Sequence, residues 1–165
     1  MALKIAAIPY TCERFPGWVA HETKLNNLIG GTDADLVVLP EYAAMEGALV
    51  GNTPDQGVTG WRDLAAERAG AWVDQFRHMA QMHGCHILAG SGPVATERGV
   101  VNRAWLVAPT GAVVHQDKLI LTPYERDTMG MVPGEELKLF DTALGRIGIL
   151  ICYDSEFPEL ARKLA

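Results

Sequence analysis

The chain has 165 residues, with 14 Lys and Arg against 20 Asp and Glu for a net charge of −6. Apolar residues are 48% and charged residues 21%, the usage of an ordinary globular domain, which excludes disorder as the main state and sets a single core as the expectation. No segment clusters Lys and Arg, so the basic footprint that a nucleic acid or an anionic membrane requires is absent from the sequence. The cysteines Cys12, Cys85 and Cys152 are odd in number and widely spaced, which reads as reduced thiols rather than a disulfide framework and points to the cytoplasm.

The opening run carries one charge and breaks at Pro9, too little for a signal peptide or a membrane span. Leu3 to Ile8 reads instead as a buried first strand. Trp18, Leu25, Leu28 and Ile29 then recur at helical spacing until Gly30-Gly31 stops the pattern. Asp35 to Leu39 is a continuous apolar run of the kind buried on both faces of a sheet, closed by Pro40 and presenting Glu41 at its carboxyl end. From Ala43 to Gly60 the chain is rich in Gly, Thr, Asn and Pro, which predicts a functional loop rather than a packed element. Ala65, Ala69, Trp72, Val73, Phe76, Met79, Ala80 and His83 predict one long helix ended by Gly84. Five strands are predicted next, Cys85 to Ala89, Val100 to Ala108, Ala112 to Gln116, Leu137 to Phe140 and Arg146 to Cys152, with hairpin turns at Pro109-Thr-Gly111 and Ala143-Leu-Gly145. Pro158 opens a last helix. Strand and helix alternation followed by hairpins predicts an α/β layered sandwich.

Three residues stand where sheets present chemistry. Cys152 lies at a strand-to-helix junction, where a helix N-terminus can lower a thiol pKa, although Asp154 and Glu156 close by would raise it. Read alone, it is first a small hydrophobe finishing its strand, since free cysteine is usually buried and inert. Glu41 sits at the carboxyl end of an apolar strand, where ligands collect in α/β sheets, and reads either as a proton shuttle or as a solvated loop charge. Lys118 follows the Val113-Val114 strand and means little by itself.

Taken in order, Leu39-Pro40-Glu41-Tyr42, Asp117-Lys118-Leu119-Ile120-Leu121 and Gly145-Arg-Ile-Gly-Ile-Leu-Ile-Cys152-Tyr153-Asp154 resemble the three catalytic segments of the nitrilase, or carbon-nitrogen hydrolase, superfamily. The continuation Ser155-Glu156-Phe157-Pro158-Glu159-Leu160-Ala161-Arg162, and Pro133-Gly134-Glu135 before Phe140-Asp141-Thr142, match as well. The resemblance implies an αββα sandwich, with Cys152 as nucleophile, Glu41 as general base, Lys118 as electrostatic stabiliser and Glu125 in a supporting role. Members often carry a basic residue before the lysine and His-Leu after it, whereas here Asp117 precedes and Leu-Ile-Leu follows.

The chemistry so implied is hydrolysis of a non-peptide C–N bond in an amide, nitrile or N-carbamoyl compound through a thioester. Lys118 and the backbone N–H of Tyr153 would face the developing oxyanion. A small-molecule substrate, no metal or organic cofactor, and a homo-oligomer in the complete protein are expected. The family's domain continues past residue 165, so the chain is expected to be its N-terminal portion, residues 1–165, apparently lacking the C-terminal part. Arg146 to Cys152 would then be a central strand left without a neighbour, with an associating edge. An inactive or fragmentary relative acting as a binding or regulatory module is the alternative. Gly90-Ser-Gly92-Pro-Val-Ala95 outlines a dinucleotide-binding turn, but Pro93 and the β-rich stretch after it leave no helix to receive a pyrophosphate. His78, His83, Cys85 and His86 lack metal-ligand spacing.

Overall fold

The computed structural model describes residues 2–165. Its main sheet has five strands in the spatial order β1 (Ile5–Ala7), β2 (Leu36–Val38), β3 (His86–Thr96), β4 (Gly99–Val107) and β5 (Val113–Asp117). The first three run parallel and the last three are antiparallel neighbours. Helices α1 (Trp18–Gly30), α2 (Gly57–Glu67) and α3 (Ala69–His83) make the parallel crossovers, and the antiparallel pairs close by tight hairpins, as expected where only a few residues intervene.

Alternation along the strands sorts the core into two faces. Val37, Leu39, Ile87, Ala89, Trp105 and Val107 pack with Leu25, Ile29, Trp72, Phe76 and Met79 of the helices. Leu36, Ala104 and Leu106 face the other way, onto Ile149, Ile151 and Phe140. That second layer is built by the hairpin β6 (Leu139–Thr142) and β7 (Gly145–Gly148), which forms a separate two-stranded sheet. Helix α4 (Pro158–Leu164) follows, with Pro158 at its first turn. Helices, sheet and second sheet therefore lie in the order expected of the sandwich. Among the described residues no helix is long and apolar enough to cross a membrane.

Several expectations are corrected. The segment after Glu41 is a packed element: Ala43–Leu49 is a 3-10 helix with Ala43, Ala44, Glu46, Gly47 and Ala48 buried, and α2 already begins at Gly57. Small side chains, which read as loop composition, are what let this turn nest against the sheet. The long helix is two, broken at Arg68, whose guanidinium donates to the carbonyl oxygens of Gly47, Ala48 and Val50 and so caps the 3-10 turn. Gly84 ends α3 in the left-handed region, φ 65°. The strand expected at Cys85 to Ala89 runs on to Thr96, through the glycines of the supposed dinucleotide turn. The strand expected at Arg146 to Cys152 is shorter, since β7 stops at Gly148 and pairs on one side with β6, while Ile149 and Ile151 continue as irregular apolar chain packed on the main sheet.

Candidate active site

Glu41 leaves the carboxyl end of β2 through Pro40, and the next residue, Tyr42, holds a left-handed backbone at φ 59°, sparsely populated for a side chain of that size. Two glycines of β3 make room for this turn. A Cβ on Gly90, itself at φ +69°, would stand 2.5 Å from the Pro40 carbonyl oxygen and 2.7 Å from Ala43 Cβ, and one on Gly92 would stand 2.6 Å from Ala44 Cβ. Between them, Ser91 Oγ accepts the Tyr42 N–H at 3.2 Å. The Gly-Ser-Gly motif is thus a close-packing device that seats the Glu41 turn.

Lys118 follows β5 and is 0% exposed. Its backbone N–H donates to Asn102 O of β4 at 2.8 Å, and the preceding Asp117 is held by Arg103 through bonds of 2.6 and 2.9 Å. The ammonium donates to Glu41 Oε1 at 2.7 Å and to Glu125 Oε1 and Oε2 at 2.9 and 2.8 Å. Glu125, on a single π turn at Tyr124–Thr128, also accepts from Tyr42 Oη at 2.6 Å, Asn102 Nδ2 at 3.1 Å, and Thr122 N and Oγ1 at 2.8 and 2.9 Å. Asn102 Nδ2 further donates to Glu41 Oε1 at 3.0 Å. One buried cation is therefore shared by two carboxylates, an arrangement stable in low dielectric only because every charge has a partner.

The charges follow from these contacts. Burial pushes the Glu125 carboxyl up, but the bonds from Lys118, Tyr42 and Thr122 outweigh it and bring it down to about 2. Burial would likewise drag Lys118 down, yet the hydrogen bonds and charges of Glu125 and Glu41 hold it above the ordinary lysine value. The Tyr42 hydroxyl is raised by burial and by its bond to Glu125.

Cys152 opens a 3-10 turn, Cys152–Glu156, with φ 47°. With Glu41 it lines a cavity of about 150 Å³ bordered by Gly90, Ser91 and Ile151. Its thiol is pushed up by desolvation and by the adjacent Glu41 carboxylate, against the lowering influence of the Lys118 charge and the Tyr153 backbone N–H. The raising foreseen from nearby carboxylates thus comes from desolvation and Glu41, and the one N–H that the single 3-10 turn supplies does not offset them. Asp154 is turned away from the thiol, fully buried, accepting from the backbone N–H groups of Leu119, Ile120 and Ile151 at 3.2, 2.8 and 3.1 Å. It ties the strand end carrying Lys118 to the turn carrying Cys152. Tyr153 packs edge-on against Phe157, with ring centroids 5.3 Å apart.

Glu41, Lys118, Glu125 and Cys152 thus come together, with the Tyr153 amide beside the thiol. Asn102 was missed in the sequence, although an Asn among the apolar residues of Val100 to Ala108 was a readable signal. The histidines considered for a metal lie elsewhere: His83 bonds Asn26, His78 pairs with Glu22, and no cluster suited to a metal occurs among the described residues.

Comparison with known proteins agrees with this layering. Omega-amidase YafV of Escherichia coli K12 is 32% identical over 141 residues, covering 83% of this chain and 49% of that protein. A carbon-nitrogen hydrolase superfamily protein from Xanthomonas campestris, solved with an arsenic adduct in its active site, superimposes with a TM-score of 0.70 at 26% identity, over 95% of this chain and 56% of that one. The fold is also that of Nit3 from Saccharomyces cerevisiae, a member of the nitrilase superfamily, with a TM-score of 0.67 at 22% identity, over 99% of this chain and 61% of that one. The chain spans about half the length of these relatives. The family model described as Carbon-nitrogen hydrolase matches residues 4–165, and the chain belongs to that family.

Proposed function

We propose that the protein hydrolyses non-peptide carbon–nitrogen bonds of small amides, nitriles or N-carbamoyl compounds through a thioester on Cys152. The observation that carries this reading is that one carboxylate, Glu41, borders both the Cys152 thiol and the buried Lys118 ammonium. A thiol pushed above its ordinary value rests protonated at neutral pH and needs a base at the moment of attack. Glu41 takes that proton as sulfur bonds to the carbonyl carbon of an amide, and returns it to the nitrogen as the C–N bond breaks and ammonia or amine leaves. Water then adds to the thioester, its proton passing to Glu41, and the acid departs with the thiol restored. In both steps the negative charge on oxygen faces the Tyr153 N–H and the fixed positive charge of Lys118, whose own hydrogen bonds go to Glu41 and Glu125. Glu125 acts through Lys118 as a positioning residue, holding the ammonium charged and fixed.

The test is a mass spectrum taken after incubation with a short aliphatic amide, with ammonia release followed in parallel. An acyl adduct on Cys152 and turnover that disappears in Glu41→Gln are expected. A folded Glu41→Gln variant with undiminished ammonia release overturns the assignment of the base.

A further inference from the structure

The acyl group that the site takes is written in the walls beside Glu41 and Lys118. A cavity of about 470 Å³ shares these two residues with the reacting centre, has Tyr42, Thr122 and Glu125 beside them, and is walled beyond by Met45, Val58, Trp61, Tyr124 and Met129. Its volume falls within the range of small-molecule sites, and its lining is apolar, aromatic and thioether. The charged groups in it are two carboxylates, Glu41 and Glu125, against one ammonium already bonded to both, so the described residues give the cavity a net negative charge and no spare cation.

The arginines nearby are committed elsewhere. Arg62 donates to the Met129 carbonyl oxygen and pairs with Asp63. Arg14 donates to the Thr53 carbonyl oxygen at 2.7 Å while lying over the Trp61 ring, and Arg126 pairs with Asp127. Most polar atoms of the walls are engaged in the same way, the Trp61 indole N–H by Asp55 at 2.9 Å and the Tyr42 and Thr122 hydroxyls by Glu125, which leaves the neutral Tyr124 hydroxyl at the exposed rim. What the walls offer a ligand is chiefly ring faces and sulfur, with one neutral hydroxyl and no free positive charge among the described residues. A carboxylate at the far end of an acyl chain would lose its water against these side chains with nothing of opposite sign to replace it.

We propose that this cavity is the acyl subsite and that it selects amides whose acyl part is neutral, apolar and of arylalkyl bulk over amides that carry a second carboxylate. The inference rests on the proposed hydrolysis at Cys152 for its orientation of the substrate, and its binding test does not depend on turnover. Intrinsic tryptophan fluorescence is titrated with 3-phenylpropanamide and with glutaramate, in the parent and in Trp61→Phe, and ammonia release from both amides is measured. A saturable change with 3-phenylpropanamide that is lost in Trp61→Phe is expected, with binding or kcat/KM favouring it over glutaramate by at least about 100-fold. Met45→Arg, which adds a cation to the wall, is expected to narrow that preference by at least about tenfold. Equal or tighter binding of glutaramate overturns the proposal, as does a 3-phenylpropanamide signal that persists in Trp61→Phe, or no binding of either amide. The expected binding pattern without ammonia release sustains the subsite and instead overturns the hydrolase reading.

Discussion

Replacing Glu125 by Gln removes one negative charge from the buried cluster while keeping the shape of the side chain. Each tenfold change in acidity is worth about 1.4 kcal/mol, so lowering this carboxyl from 4.5 to about 2 amounts to about 3 kcal/mol of folding free energy at neutral pH. The folded value lies below the unfolded one. The contribution is therefore complete above the unfolded value and drains away as the pH falls from 4.5 towards 2. At pH 3 about 1.5 kcal/mol of it remains. Urea denaturation of parent and Glu125→Gln across pH 7 to 3 reads the difference directly. Carboxylates outside the cluster, such as Glu46, which burial raises but bonds from His21, Lys24 and Tyr10 bring below its usual value overall, affect both proteins alike and cancel. The expected gap is about 3 kcal/mol at pH 7, halved by pH 3. A gap that does not change with pH would refute the argument, because it would mean that the loss comes from shape rather than from the ionised carboxylate.

Lys118→Met strands the buried Glu125 and leaves the partly buried Glu41 without its cation, and is expected to cost about 3–5 kcal/mol of stability and at least about 10²-fold in turnover. Adding Glu125→Gln to it should recover stability without recovering ammonia release, and turnover within tenfold of the parent would remove Lys118 from the oxyanion. Limited iodoacetamide treatment with peptide mapping should modify Cys152 before the buried Cys85 and before Cys12, because Cys12 and Cys152 are both exposed with raised thiols but only Cys152 has a carboxylate, Glu41, bonded to it to take the proton. Its rate should climb steeply only above the ordinary thiol range, and prior labelling of either other cysteine would count against the assignment. Gly90→Ala places a methyl against Pro40 and Ala43 and is expected to destabilise the protein by about 1–3 kcal/mol and to lower turnover more than it lowers alkylation of Cys152. Equal loss in both measurements would show that the Glu41 turn had not moved.

The outline of the sheet was legible wherever an apolar run met a Pro or Gly stop, as at Val37 to Pro40 or at Gly84, because burial on both faces and a left-handed cap each leave a local mark. The residues Glu41, Lys118 and Cys152 were legible only through their order along three separate segments, since none of them is distinctive by its neighbours. The packing of Ala43 to Gly60 was not legible, because alanine and glycine signal a loop by composition and a tight contact by size, and the deciding contacts, Gly90 and Gly92 on β3, lie far away in sequence. The break at Arg68 was hidden for a similar reason: apolar periodicity runs through it, and its cause is a guanidinium bonded to a turn about twenty residues upstream. Asn102 stands out in the sequence as a polar residue in an apolar run, but its partners are legible only in the fold, where β4 brings it to both carboxylates.

The buried ammonium also constrains how the molecule comes together. Lys118 can leave water only when Glu41 and Glu125 are both in place, since a lone charge in the interior costs several kcal/mol. Those partners arrive on the end of β2 and on the π turn after β5, with Asn102 of β4 between them. Closing the cluster therefore requires distant parts of the chain to have docked, a step that the loop-closure entropy of such separated contacts places late in folding. During refolding, recovery of hydrolysis should trail recovery of the helical signal, which makes turnover a stricter gauge of native assembly than circular dichroism.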